Sequence, residues 1–141
     1  MVGLTHEPID LAPLLTPRPE DGAVATFLGV VRATSADGRG VTHLEYEAYE
    51  EMAIPEMEAI VGEATARWDV GDVRLVHRLG RMRVGEASVA IVVTAPHRGP
   101  ACEACRFVID SIKERVPIWK KEIAADGAAW VEGHAPSERR E

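Results

Sequence analysis

The sequence predicts an α+β fold, a largely antiparallel sheet combined with two long helices. Three observations carry that expectation. Apolar, β-branched runs come in pairs close enough to form hairpins, two stretches repeat apolar residues at three- and four-residue spacing, and turn residues separate these segments. With 141 residues, 46% hydrophobic and 28% charged, the chain has the size and composition of a single domain spanning 1–141, its core over about 22–132 and a polar tail at 133–141.

Residues 22–31 are apolar and β-branched nearly throughout, as a strand covered on both faces would be, and the run ends at Arg32. The Ser-, Asp- and Gly-containing residues 33–40 have turn chemistry and predict a mobile loop. Residues 41–49 alternate, with Leu44, Tyr46 and Ala48 on one face and His43, Glu45, Glu47 and Tyr49 on the other, which predicts a half-buried strand. From about 52 to 68, Ile54, Met57, Ile60, Val61, Ala64 and Trp68 share one face of a helix whose wet side carries Glu56, Glu58, Glu63 and Arg67. Residues 73–79 and 87–95 read as two more strands, joined through a reversal that Gly80 and Gly85 permit. Pro100 suits the first turn of a second helix running to about Arg115, and Pro117 stops it because the residue before a proline avoids helical geometry. Residues 118–123 and 128–132 then form a hairpin around Asp126-Gly127.

The charge pattern singles out one region. Between His97 and Lys121 six basic residues (Arg98, Arg106, Lys113, Arg115, Lys120, Lys121) face three acids (Glu103, Asp110, Glu114), a surplus of three in a chain of net charge −7. A local field of the opposite sign costs self-repulsion and reads as a pocket for an anion. The acidic total argues against nucleic acid, whose backbone needs broad basic surfaces. No run approaches the roughly 20 apolar residues of a membrane span, and residues 1–13 lack the basic start and apolar stretch of a secretory signal, so the expectation is a cytoplasmic protein.

Candidate chemistry gathers in that basic region. His97-Arg98-Gly99-Pro100 puts charged donors beside the free N–H groups and positive dipole end of a helix, a corner suited to phosphate or carboxylate; the same residues could equally be a loop that caps a strand, and on this dipeptide alone the loop is favoured. His77-Arg78 repeats the dipeptide inside a strand, where the structural reading is stronger still. Lys113 and Lys120 flank the proline turn and could converge on one anion or move a proton, or could simply form a solvated basic face. Trp119 and Trp130 fit core or hairpin positions, or one of them a wall for a flat heterocycle. His97 and Lys113 lie at opposite ends of one helix, about 20 Å apart at 1.5 Å per residue, so a site using both must be assembled across a symmetric dimer. Cys102 and Cys105 have redox-motif spacing but lack the flanking βαβ pattern, and with His97 they give no fourth ligand for zinc; they read as small helix residues, and no metal or cofactor is expected.

Several blocks then occur together in order. They are Gly22-Ala23, Phe27-x-Gly29-x-Val31-Arg32, Leu44-x-Tyr46-Glu47-x-Tyr49-x-x-Met52-Ala53, His77-Arg78-x-Gly80, Gly85-Glu86, His97-Arg98, Ile109-Asp110-x-x-Lys113, Pro117-Ile118-Trp119-Lys120-Lys121-Glu122 and Trp130-Val131-Glu132. In these the chain resembles the MoaE family, the large, catalytic subunits of molybdopterin synthase. The resemblance implies a dimeric, α/β-hammerhead-like protein. It also implies an enzyme that converts cyclic pyranopterin monophosphate to molybdopterin by inserting two sulfurs as a dithiolene. The sulfur would come from the C-terminal glycine thiocarboxylate of a small ubiquitin-like partner subunit, within a heterotetramer built on a homodimer. Position by position, Lys113 and Lys120 match the family's active-site lysines, Arg32 the arginine after the Phe-x-Gly block, and His97 and Arg98 an anion-binding pair given by the other protomer. Lys121 and Glu122 line the same stretch, with Glu122 orienting a lysine, and His134 stands where relatives can carry an arginine. The alternative is a module that docks the tail of a ubiquitin-like protein without catalysing anything.

Overall fold

The strand Ala87–Ala95 (β6) is buried from Ser88 onward, so it can only occupy the interior of a sheet. The computed structural model, which describes residues 1–35, 38–127 and 129–133, places it there. It pairs antiparallel with Val73–Arg78 (β4) on one side and Ala23–Val30 (β2) on the other, and Val2–Thr5 (β1) completes a four-stranded sheet in the order β1-β4-β6-β2. β1 lies parallel to β4, so the first sheet is mixed. A second, wholly antiparallel sheet runs Gly80–Arg83 (β5), His43–Ala48 (β3), Ile118–Ile123 (β7), Ala129–Gly133 (β8). Two helices, Glu50–Arg67 (α1) and Arg98–Arg115 (α2), cover one face of the first sheet. The α+β class with two long helices stands.

Alternation along β6 divides the core. Val89, Ile91, Val93 and Ala95 meet Met57, Ile60 and Ala64 of α1 and Ala101, Ala104, Cys105, Val108 and Ile112 of α2. Ala90 and Val92 point the other way, where Leu14, with Ile9 and Leu11, covers them. An Arg18–Asp21 pair at 2.7 Å and Arg74, which donates to the carbonyls of Leu14 and Thr16 and to Asp72, strap this N-terminal segment across the sheet. Arg115 joins the helices to each other, donating from Nε to Glu56 at 2.7 Å and from both terminal nitrogens to Glu63 at 2.8 Å.

Four local expectations change. β2 is an edge strand with Val24, Leu28 and Val30 exposed, so it is covered on one face only, not two. Residues 80–83 form β5, not merely a reversal: the left-handed φ of Gly80 (94°) turns the chain out of the first sheet into the second, and Gly85 (94°) turns it back. Residues 2–5, given no element from the sequence, are β1. The loop at 33–40 is closed by a Thr34–Gly40 bridge and by Ser35 N–H donating to the Arg39 carbonyl, with Ala36 and Asp37 outside the described residues. Both helices otherwise lie where periodicity puts them, α1 opening two residues early with Glu50 and Glu51 at its positive end, and α2 stopping before Pro117.

Candidate functional site

A cavity of about 410 Å³ opens where the first sheet, the end of α2 and the inner face of the second sheet meet. Period-two alternation decides which side chains of the second sheet reach it. On β7, Lys120 lies opposite Tyr46 and Glu122 opposite Leu44, all four lining the cavity. Lys121, between them, points to the other face and is exposed. The expectation that Lys121 lines the pocket is therefore corrected by strand geometry.

Arg32 reaches the mouth through an irregularity in β2. The register slips between Gly29 and Val30, after which Val31 turns inward at 2% exposure and Arg32 lines the cavity. Gly29 is required at the slip, because a Cβ there would stand 2.6 Å from Val89 Cγ1. Lys113 arrives from the last turn of α2, with Ile109 and Ile112 forming the apolar wall beside it. Arg32, Lys113 and Lys120 thus share one cavity; the two lysines belong to the basic stretch at 97–121, and Arg32 comes from outside it.

The surplus of positive charge was nonetheless only partly a pocket signal. Arg115 is held by Glu56 and Glu63, and Arg106 stands 3.5 Å from Asp110 on the surface. His97 and Arg98 are exposed at the opposite end of α2, about 24 Å from Lys113 by helical rise, and do not reach this chain's cavity. Trp119 lines the cavity; the side chain of Trp130, and all of His134, lie outside what is described.

Glu122 is 3% exposed, with Oε2 3.4 Å from Lys120 Nζ. Its Oε1 is shielded from solvent and has no hydrogen-bond partner among the described residues. Leaving such an oxygen unpaired costs about 1–3 kcal/mol.

His77 is the site residue that sequence reasoning passed over. It is 6% exposed, lines the cavity and meets the Tyr46 ring edge-on at a centroid distance of 5.0 Å. Its Nδ1 lies 2.8 Å from the Arg78 carbonyl, which can only accept, so Nδ1 carries the proton and Nε2 is left as an acceptor. Burial pushes its pKa down to about 4, against the Arg78 carbonyl, which raises it, and with help from the Lys113 ammonium, which lowers it. The imidazole is neutral at physiological pH. The signal was present in the alternation Val73, Leu75, His77, which sets a polar ring at a core position.

The thiols stand apart from this chemistry. Cys102 is exposed on α2, and burial pushes the Cys105 thiol up to about 11, so it is no nucleophile near neutrality.

A mixed α+β scaffold whose cavity combines two lysines, an arginine, a buried carboxylate and a neutral imidazole has the chemistry suited to an anionic ligand and to proton movement. The family described as MoaE protein matches residues 4–115. The molybdopterin synthase catalytic subunit of Pyrococcus abyssi is 47% identical over 120 residues, 84% of this chain and 80% of that one, and the same subunit of Bacillus subtilis is 45% identical over 112 residues, 79% and 71% of the two chains. Molybdopterin synthase from Staphylococcus aureus superposes with TM-score 0.85 at 38% identity, covering 93% of this chain and 96% of that one. A Helicobacter pylori chain, 22% identical and solved as a complex of subunits 1 and 2 of molybdopterin-converting factor, shares the fold with TM-score 0.72, covering 98% of this chain and 91% of that one. The chain belongs to the MoaE family of molybdopterin synthase catalytic subunits, enzymes of molybdenum cofactor biosynthesis. Among the described residues no helix is long and apolar enough to cross a membrane.

Proposed function

We propose that this chain converts cyclic pyranopterin monophosphate to molybdopterin, acting as a sulfurtransferase that receives two sulfurs from the C-terminal thiocarboxylate of a small ubiquitin-like subunit. The observation that carries the reading is the convergence of Arg32, Lys113 and Lys120 on one cavity walled by Ile109, Ile112 and Leu44. A phosphorylated heterocycle and a thiocarboxylate tail are both anions, and apolar walls strengthen each cation's hold on them. Lys113 and Lys120 neutralise the charge brought together when sulfur meets the pterin and exchange protons with it. Glu122 holds Lys120 in place, and the neutral His77 ring adds no competing positive charge.

His97 and Arg98 act in trans on this reading. They are too far from their own cavity to touch its ligand, and the exposed Val24, Leu28 and Val30 on the β2 edge offer a surface on which two copies can pair. The second reading, a docking module without chemistry, is favoured by no feature that the enzyme lacks. Mixing the purified protein with the thiocarboxylated partner and the pterin phosphate, then assaying dithiolene, separates the two. The enzyme makes product in proportion to thiocarboxylate consumed; a partner that binds yet yields no dithiolene leaves only the docking module.

A further inference from the structure

The cavity's polar side chains are unequal in what they offer. Arg32, Lys113 and Lys120 can only donate, which suits phosphate and carboxylate oxygens. A ligand N–H needs an acceptor instead, and Glu122 Oε1 is one: shielded, carried on a strand and unpaired among the described residues. The neighbours fix it there. Leu44, opposite Glu122 on β3, and Met82, opposite Leu44 on β5, are both buried, so the β3 side of the carboxylate is apolar and, among the described residues, Oε1 has no hydrogen-bond partner. The Lys120 ammonium, 3.4 Å from Oε2, orients the carboxylate.

We infer that Glu122 is the specificity-determining residue for the heterocycle, its Oε1 accepting a hydrogen bond from the aminopyrimidinone edge of the pterin. That edge presents a ring N–H and an exocyclic amine side by side, donors that the cavity's cations would repel and that a carboxylate oxygen receives. The bound molecule is then polarised, with its phosphate toward Arg32 and the lysines and its amino edge toward β7. The inference rests on the proposed pterin substrate, and it goes further by giving Glu122 a direct contact in addition to its hold on Lys120.

Calorimetric binding to the full chain tests it with two probes, 6-hydroxymethylpterin phosphate and an analogue carrying a carbonyl in place of the amine and a methyl on the adjacent ring nitrogen. The wild type should prefer the pterin by about 10- to 100-fold, because the analogue sets an acceptor and a methyl against an unpaired carboxylate oxygen. Glu122→Met should bring that ratio close to one. Glu122→Gln, whose single amide oxygen is taken by the Lys120 ammonium so that its N–H groups face the ligand, should likewise lose the preference. Lys113→Met, on the helix side of the cavity, should weaken both probes together and leave the ratio standing. An undiminished preference in Glu122→Met, or equal wild-type affinity for the two probes, overturns the inference alone and reduces Glu122 to a support for Lys120. Wild-type protein that binds neither probe overturns the pterin reading with it.

Discussion

Two polar regions of this molecule, one on each side of the first sheet, each set a cation beside a carboxylate and are finished differently. On the outer side Asp21 takes hydrogen bonds from the backbone N–H, Nε and Nη2 of Arg18, at 2.9, 3.0 and 2.7 Å, and Thr94 Oγ1 accepts from the Asp72 N–H at 2.9 Å. In the cavity Lys120 meets Glu122 at 3.4 Å and one carboxylate oxygen has no hydrogen-bond partner among the described residues. A saturated network holds a segment down; an incomplete one keeps capacity for a ligand. The difference separates a fastening from a site more clearly than charge does.

The sharpest way to break this comparison is to remove a group from each side. Lys113→Ala should lower dithiolene formation by about 10²- to 10⁴-fold in the reconstituted assay, with thermal unfolding unchanged and the partner subunit still bound. Lys120→Ala should match that loss and also lower the melting temperature, because it strands the buried Glu122 carboxylate. Asp21→Asn should do the reverse, lowering the melting temperature while turnover per folded molecule stays at the wild-type level. Equal turnover in wild type and Lys113→Ala would erase the distinction between the two regions.

The assembly across two copies is tested by complementation. Lys113→Ala and Arg98→Ala should each be impaired alone. Unfolded and refolded together, they should recover about a quarter of wild-type activity, since half the pairs are mixed and each mixed pair owns one intact site. No recovery would place Arg98 outside the site.

Acid should separate the regions as well. His77 has its folded pKa depressed from 6.5 to about 4, so the unfolded chain takes up the proton first and stability falls as pH drops from about 6.5 toward 4. The loss amounts to about 3 kcal/mol. Asp21, whose carboxyl Arg18 holds well below its ordinary value, should give a further loss only at more acid pH, as that carboxylate is protonated. Urea titrations across this range should show the first step disappear in His77→Gln and the second in Asp21→Asn. The smallest effect belongs to Cys102→Ser, which should leave sulfur transfer intact.

Much of this was legible in the sequence where the cause is local. The stop of α2 at Pro117, the spacing of α1 and the buried run of β6 are written in adjacent residues. So were Lys113, Lys120 and Arg32, whose place on one cavity follows from a helix end, a strand and the Phe27-x-Gly29 block. What escaped depends on distant partners. β1 is four residues whose only claim to be a strand is the parallel pairing with β4, and β5 has one buried residue, Met82, between two outward arginines. Charge counting overstated the pocket because Arg115 finds its acids 52 and 59 positions away on α1. Lys121 was misplaced by reading adjacency as proximity, when neighbours on a strand face opposite ways.

The Arg115 bracket also bears on whether the site is portable. Lys113 sits two residues before an arginine that two carboxylates of another helix hold in place, so its bearing on the cavity belongs to the helix pair and not to α2 alone. Grafting α2 and the β7 turn onto a foreign scaffold would carry over Lys113 and Lys120 but not the aim of Lys113, whereas moving α1 along with them would keep that aim.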